Sequence, residues 1–215
     1  MTAMQITGDN LSTVEMTKRF GGVTAVNGAT VTFQHGKVNG LIGPNGSGKT
    51  TFFNCVTGMI KPDSGVVTYR GRTIMGKPPH TIARAGIGRS FQLCRIFPRM
   101  TVLENLLVAV RTTRLSALMS GSRNPAETER ARGWLRRVGI DHLEHTEARN
   151  LSYGQQKLLE LAGVLMGDPE TIMLDEPAGG VNPALIGRIA TLVRELNAEG
   201  KTFIGTAHGL VDSWG

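Results

Sequence analysis

Apolar and polar residues alternate over short runs in the first part of the chain. Residues 29–33 alternate, residues 35–37 predict a turn, and residues 38–42 form an apolar run. Residues 66–69 and 72–74 form another pair of runs on either side of a glycine, as in a hairpin. The pattern predicts short strands and turns, arranged as an antiparallel β region near the N-terminus.

Helical spacing of apolar residues follows this region and returns after residue 100. Residues 50–57 predict a helix that ends before Gly58. Thr101 and Glu104 fit a capping box ahead of a second helix. Residues 127–138 predict an amphipathic helix whose arginines form a solvated face: Arg130, Arg132, Arg136 and Arg137.

Strands and helices alternate in the last part of the chain. The pattern predicts a helix over residues 152–166, a strand at Thr171–Leu174, a helix over residues 183–197 and a strand at Thr202–Thr206. Such alternation is typical of a parallel sheet. We therefore expect one α/β domain over residues 1–215, with a helical lobe inserted at about residues 93–150.

Length and composition agree with one cytoplasmic domain. The chain has 215 residues, and no stretch approaches the roughly 18 apolar residues of a membrane span. Two cysteines, Cys55 and Cys94, are too few for a disulfide framework. The net charge of +7 permits binding to nucleic acid, an anionic membrane or a nucleotide, but aromatic residues make up only 5% of the chain. A base-stacking surface for single strands therefore has no support in the composition.

A glycine-rich loop joins the apolar run at residues 38–42 to the helix predicted at residues 50–57. It matches the pattern G-x4-G-K-[ST] with Gly43, Pro44, Asn45, Gly46, Ser47, Gly48, Lys49 and Thr50. Its backbone N–H groups can face a phosphate, Lys49 can reach the β- and γ-phosphates, and the Thr50 hydroxyl can bind Mg²⁺. A plain glycine turn explains neither the lysine nor the order of elements. The loop predicts a P-loop NTPase core.

Two further segments carry candidate chemistry. Asp175 and Glu176 end an apolar strand, where Asp175 can hold Mg²⁺ through water and Glu176 can orient or deprotonate an attacking water. Ser152, Gly154 and Gln155 open a predicted helix, where exposed backbone amides imply a second anion site. A solvated turn and simple helix capping are the respective alternatives.

These motifs together resemble the nucleotide-binding subunits of ABC transporters, in order and in approximate spacing. The resemblance implies a head-to-tail dimer with ATP and Mg²⁺ between the phosphate loop of one subunit and the signature segment of the other. In this chain the signature segment is residues 151–156, which include Ser152, Gly154 and Gln155. It implies integral-membrane permease subunits and a second, identical or different, ATPase subunit as partners. A periplasmic or extracellular solute-binding protein is an indirect partner. Such a chain lies in the cytoplasm, peripherally on the inner face of the cell membrane, and binds no nucleic acid.

The resemblance extends to single residues. Gln92 matches the glutamine that senses Mg²⁺ and contacts the membrane partner, His208 the histidine that contacts the γ-phosphate, and Phe20 the aromatic that stacks on adenine. Thr51 joins the nucleotide-binding residues of the loop, and Asn182 stands where the family often has an aspartate. Each of the first three has a plainer alternative. Gln92 can be a polar loop residue, His208 a surface or loop histidine, and Phe20 a core residue.

Within the family, residues 86–92, 95–97 and 100–105 resemble the branched-chain amino-acid uptake group. The resemblance implies ATP hydrolysis that powers import, with urea, another amino acid or another amide as the alternative solute. Two features depart from the group. Ala207 stands where glutamate is usual, and the chain ends at Gly215, soon after His208. The early end leads us to expect ATP binding through Lys49 but slow hydrolysis and marginal stability, unless partners or a further C-terminal segment complete the domain.

Functions of other classes have weaker support. A soluble DNA-maintenance ATPase with the same head usually carries long coiled-coil or zinc insertions, and the predicted lobe has neither heptads nor cysteine ligands. The hypothesis of a P-loop kinase or GTPase does not explain the signature segment, and the chain has no NKxD-like motif for binding guanine. A nonfunctional or regulatory relative is the remaining alternative.

Overall fold

The computed structural model describes residues 11–90, 96–109, 124–175 and 182–206. The strands are β1 Leu11–Phe20, β2 Val23–Phe33, β3 Val38–Leu41, β4 Ser64–Tyr69, β5 Arg72–Thr73, β6 Ile87–Arg89, β7 Thr171–Leu174 and β8 Thr202–Thr206. The α-helices are α1 Lys49–Val56, α2 Pro79–Ala85, α3 Val102–Ala109, α4 Pro125–Val138, α5 Tyr153–Met166 and α6 Pro183–Ala198. Short 3₁₀ turns lie at Asp141–Leu143 and Ala148–Asn150.

The N-terminal region forms an antiparallel sheet in the order β2, β1, β4, β5. The expectation of short strands is wrong here, because β1 and β2 have 10 and 11 residues. Their register shifts along the pair, and Glu15 and Gly28 adopt positive φ angles of 50° and 58°. Such irregularities interrupt the apolar alternation without ending the strands. The predicted hairpin is confirmed, since β4 and β5 pair antiparallel across a turn at Arg70 and Gly71.

The second sheet is parallel, as predicted, in the order β3, β8, β7, β6. The predicted bounds of β7 and β8 are confirmed, and every residue of both strands is buried. Leu41 pairs with Thr206 and Leu174 pairs with Gly205. The carboxyl ends of β3, β8 and β7 therefore meet at one edge of the sheet, where open α/β folds bind ligands.

Alternate side chains of the parallel sheet enter two different cores. Ile172 and Phe203 belong to a cluster with the buried faces of α3, α4, α5 and α6. Met173 and Ile204 belong to a cluster that includes Phe53 of α1 and residues of the antiparallel sheet. Coverage of both faces explains why every residue of β7 and β8 is buried and why, apart from their threonines, the strands carry no polar side chain.

The helices between the two halves of the parallel sheet pack on α5. Thr101 and Glu104 form the predicted capping box, with N···O distances of 2.9 and 3.2 Å. Helix α4 begins two residues earlier than predicted, because the Asn124 side chain caps it by accepting from the Ala126 N–H at 3.0 Å. Within the described ranges, every helix is too short or too polar to traverse a lipid bilayer.

The arginines of α4 lie on its solvated face, as expected, and these side chains also have partners. Arg132 pairs with Glu144 at 2.9 Å, and Arg136 pairs with Glu129 at 2.7 Å. The other contacts run from Arg137 to Glu199 and from Arg130 to the carbonyl oxygen of Met166, each at 2.7 Å. Acidic residues of α4 and of neighbouring elements thus neutralise part of the basic surface.

Candidate functional site

The phosphate loop lies where predicted, between β3 and α1, and its shape requires glycine. Gly48 precedes the first residue of α1 with a φ of 88°, and a β-carbon there would lie 2.0 Å from the carbonyl oxygen of Ala25. A β-carbon at Gly43 would lie 2.6 Å from the Ser47 Oγ. At Gly48 a backbone atom therefore approaches more closely than any side chain allows, whereas at Gly43 a side chain would require the Ser47 hydroxyl to move.

Helix α1 points its N-terminus into this loop. The Phe52 N–H donates to the Gly48 carbonyl at 2.7 Å, so the helical hydrogen bonds begin there. The N–H groups of Lys49, Thr50 and Thr51 precede that bond and have no intrahelical acceptor. The first turn carries no acidic residue. The N-terminus of α1 thus favours the binding of an anion at the phosphate loop.

The Lys49 side chain folds back over the loop that precedes it. Its Nζ donates to the carbonyl oxygens of Gly43 at 2.6 Å and Pro44 at 2.9 Å, and the residue is only 8% exposed. The loop thereby holds the ammonium group at its own centre. A cation fixed in this way is suited to phosphate oxygens, because little side-chain freedom remains to be lost on binding.

Asp175 follows β7 at the same edge of the sheet and is 1% exposed. Its Oδ1 lies 3.4 Å from the Thr50 Oγ1 and 3.3 Å from the Thr206 Oγ1, and both hydroxyls donate to it. Thr50 and Asp175 were both predicted to bind Mg²⁺, and both are among the described residues. The structure brings their side chains together.

These oxygens fit the preferences of Mg²⁺. The cation takes oxygen ligands at roughly 2.1 Å in octahedral geometry, so neighbouring ligand oxygens lie roughly 3 Å apart. It usually keeps several waters and phosphate oxygens, so one carboxylate and one hydroxyl suffice from the protein. No cluster of three or more His, Cys, Asp or Glu side chains occurs in the described part of the chain. The site thus suits a cation shared with a phosphate group better than a closed protein cage.

Arg89 is a site residue that the sequence reasoning missed. Its Nη2 lies 3.0 Å from the Asp175 Oδ2, and the two side chains are 6% and 1% exposed. The sequence offered one signal, a charged residue directly after the apolar start of a short strand, three residues before Gln92. That signal could not name the partner, because Asp175 lies 86 residues further along the chain.

Phe20 lies on the surface, so the alternative of a core residue is wrong. It ends β1 with 48% exposure, and the Lys18 Nζ lies 5.5 Å from the centre of its ring. A cavity of about 560 Å³ lies beside the phosphate loop, lined by that loop, by Phe52 and by part of β2. Phe20 lies outside the lining of this cavity. Stacking of adenine on Phe20 stays a prediction.

The signature segment begins α5 with the predicted cap. The Ser152 side chain accepts from the Gln155 N–H at 3.3 Å, while the Gln155 side chain accepts from the Ser152 N–H at 2.9 Å. A β-carbon at Gly154 would lie 2.8 Å from Leu185 Cδ2 of α6, so a larger residue there would require the end of the Leu185 side chain to shift. Across the described ranges, none of these three residues bonds to the phosphate loop.

Three predicted residues lie outside the described residues: Gln92, Glu176 and His208. Ala207 lies outside them as well. Asn182 is described and caps α6 by accepting from the Leu185 N–H at 2.9 Å.

Comparison with known proteins gives a consistent family. The family model described as "ABC transporter" matches residues 26–179. The high-affinity branched-chain amino acid transport ATP-binding protein LivG of Salmonella typhimurium is 43% identical over 194 residues, which cover 86% of this chain and 76% of that protein. A probable LivG of Archaeoglobus fulgidus is 42% identical over 205 residues, which cover 93% and 80%.

Solved structures agree with the sequence comparison. A crystal structure of the ADP conformation of an ATP-binding cassette of an ABC transporter superposes with a TM-score of 0.83 at 36% identity, covering 95% of this chain and 84% of that chain. The predicted fold class, an α/β P-loop NTPase core with an antiparallel β region and inserted helices, is confirmed by this likeness. This chain therefore belongs to the ABC transporter family, as one of its ATP-binding, ATP-hydrolysing cassettes.

Proposed function

We propose that this chain powers the import of branched-chain amino acids. The observation that carries the proposal is its identity of 42–43%, over most of both chains, to proteins named for that transport. A transported solute never touches the site residues of such a cassette, so the solute is inferred from the likeness alone. Urea, another amino acid or another amide remains the alternative solute.

The nucleotide lies on the phosphate loop in this proposal. The binding residues are Gly43, Pro44, Asn45, Gly46, Ser47, Gly48, Lys49, Thr50 and Thr51. The Lys49 ammonium, held by the Gly43 and Pro44 carbonyl oxygens, directs its remaining N–H toward the phosphates, and the backbone N–H groups at the start of α1 donate to them. Phe20, exposed at the end of β1, offers a ring face to adenine.

Thr50, Asp175 and Gln92 hold Mg²⁺ beside these phosphates. The cation supplies charge neutralisation at the phosphate oxygens. Support comes from the 3.4 Å separation of the Thr50 hydroxyl and the Asp175 carboxylate. The Asp175 carboxylate is buried and bonded on both of its oxygens, so its orientation is fixed. Together with Thr50 it thereby orients the phosphates and excludes other arrangements of them.

Glu176 and His208 act on the attacking water and the γ-phosphate. Glu176 directly follows Asp175, and His208 stands two residues after Thr206, which donates to the same carboxylate. The strands that precede them in the sequence, β7 and β8, end at the sheet edge that carries the phosphate loop. Glu176 takes the proton of the water or orients it, while His208 and Gln92 fix the γ-phosphate end of the site.

Two cassettes work together in the proposed assembly. Ser152, Gly154 and Gln155 act on the nucleotide of a second, identical or different, ATPase subunit, and their place at the exposed start of α5 supports this role. Permease subunits carry the solute, and a solute-binding protein delivers it to them. The chain then lies on the inner face of the membrane, with residues 93–150 as its helical lobe.

Reconstitution tests the solute. The chain is purified with permease subunits, a second ATPase subunit and a solute-binding protein from the same organism, and the complex is placed in liposomes. We expect ATP-dependent uptake of labelled leucine that excess isoleucine and valine abolish and that urea leaves unchanged. The same complex with Lys49→Ala controls for uptake without hydrolysis. Uptake of urea in place of leucine would reject the proposed solute and retain the ATPase.

A further inference from the structure

Arg89 forms a buried ion pair with Asp175 at the end of two neighbouring strands. Arg89 is the last residue of β6 and pairs in register with Met173 of β7, two residues before Asp175. The Nη2···Oδ2 distance is 3.0 Å. Both side chains are almost fully shielded from water, so this contact is far less screened than a surface ion pair.

The same guanidinium group is anchored on the far end of α1. Its Nη1 donates to the Asn54 Oδ1 at 2.7 Å and to the Thr57 Oγ1 at 3.0 Å. Its central carbon lies 5.7 Å from the centre of the Phe53 ring. Arginine presents its donors in a rigid planar fork, so these anchors fix the direction of the nitrogen that reaches Asp175.

The two oxygens of the Asp175 carboxylate have different partners. Arg89 binds Oδ2, whereas the hydroxyls of Thr50 and Thr206 contact Oδ1. Rotation of the carboxylate would break the contact with Arg89, and the buried charge makes such a loss costly. Oδ1 therefore keeps facing Thr50, which is also assigned to Mg²⁺.

We propose that Arg89 is a positioning residue that holds Asp175 with Oδ1 toward the metal and ties that orientation to α1. This inference rests on the proposed function, in which Thr50 and Asp175 hold Mg²⁺. Arg89 touches neither nucleotide nor metal in this role. It acts in the way that outer partners orient metal ligands, through hydrogen bonds to a ligand oxygen.

Two variants separate positioning from simple structural support. Arg89→Lys keeps the positive charge but replaces the fork by a single ammonium group, which cannot bridge Asp175 and α1 in the same geometry. Asn54→Ala removes one anchor of the fork and leaves the contact with Asp175. Arg84→Lys, on the exposed face of α2, is the matched control. Chemical unfolding establishes that each variant is folded.

The informative readout is binding of Mn²⁺ to the chain with nucleotide present, followed by electron paramagnetic resonance. For Arg89→Lys we expect the half-saturating Mn²⁺ concentration to rise roughly tenfold or more. The Mg²⁺ concentration for half-maximal hydrolysis should rise in parallel, while ATP affinity in the presence of EDTA stays at the wild-type value. Asn54→Ala should show a smaller rise, and Arg84→Lys none.

A folded Arg89→Lys variant with wild-type Mn²⁺ affinity would overturn the inference, even if its stability were reduced. Loss of ATP affinity in EDTA equal to the loss of Mn²⁺ affinity would overturn it as well, because the defect would then lie in the whole site. Failure of the wild-type chain to bind Mn²⁺ with nucleotide would instead reject the proposed metal site.

Discussion

Thr50 and Asp175 are separated by 125 positions in sequence, yet the Thr50 Oγ1 lies 3.4 Å from the Asp175 Oδ1. The parallel sheet produces this approach. Leu41 pairs with Thr206, and Leu174 pairs with Gly205, so the strands before the phosphate loop and before Asp175 end level with each other. The register of three strands thus places a hydroxyl and a carboxylate beside one phosphate site.

Replacement of Lys49 by alanine should remove most ATP binding. The phosphates lose the ammonium group that the loop holds at its centre, and a charge-assisted hydrogen bond of this kind is worth roughly 1.5–3 kcal/mol. We expect the Kd for ATP to rise by roughly tenfold to 100-fold, measured by equilibrium binding of labelled ATP. Lys61→Ala removes an exposed lysine and serves as control. Equal Kd values for the Lys49 and Lys61 variants would refute the assignment of the loop.

Alanine at Gly48 should destabilise the chain more than alanine at Gly46. Both glycines have a positive φ, 88° and 78°, which costs an alanine about 1–2 kcal/mol. At Gly48 the new β-carbon also meets the Ala25 carbonyl oxygen at 2.0 Å, whereas at Gly46 nothing lies within 4 Å. We expect a loss of about 3 kcal/mol or more for Gly48→Ala in guanidinium unfolding without nucleotide. Similar losses for both variants would show that the close approach is not real.

Substitutions at Ser152 can separate helix capping from action on a second subunit. Ser152→Ala should lose about 1 kcal/mol of stability, whereas Ser152→Asn keeps a good N-cap and should retain most of it. If the hydroxyl acts across the dimer, both variants hydrolyse ATP slowly while the monomer binds ATP normally. Turnover and unfolding are measured side by side. Full turnover of Ser152→Asn would reduce the role of Ser152 to capping.

The thiol of Cys55 should be protected and pH-dependent. Burial is the main cause that raises its pKa from the usual 9.0 to about 11, and the Lys18 charge opposes the shift. In Cys94→Ser, where Cys55 is the remaining cysteine, thiol labelling at pH 8 should be roughly 100-fold slower in the native than in the unfolded chain.

The same pKa shift predicts how stability depends on pH. Because the unfolded thiol loses its proton at a lower pH than the folded one, Cys55 lowers the free energy of unfolding between about pH 9 and 11. Cys55→Ala should flatten this part of the pH profile. Fast native labelling, or an unchanged profile in Cys55→Ala, would show that the thiol is not desolvated.

Local sequence signals predicted the elements that local physics determines. The buried apolar runs specified β7 and β8 to the residue, and the Ser152 cap specified the start of α5. The glycine spacing predicted a phosphate loop whose close approach at Gly48 requires glycine. These features depend on neighbours within a few positions of the chain.

Features that depend on distant partners could not be predicted in this way. The Arg89 ion pair joins β6 to the end of β7, and the apolar alternation of β1 is interrupted at Glu15. Asn105 is a third case, because its buried amide accepts from the Phe97 N–H at 2.7 Å and donates to the Phe97 carbonyl at 3.1 Å. In sequence it is only a polar residue in a helix.

Helix α2 was missed although Pro79 at its start and Gly86 at its end are typical signals.

Single-turnover hydrolysis by Glu176→Gln tests the central claim most directly, namely that the sheet edge carrying the phosphate loop and Asp175 is an ATP-hydrolysing site. The amide cannot take a proton from water, whereas the groups that bind the phosphates stay in place. With labelled ATP bound at saturation, we expect phosphate release to be roughly 100-fold to 10,000-fold slower than in the wild-type chain, with ATP affinity unchanged. Phosphate release at the wild-type rate would contradict the account.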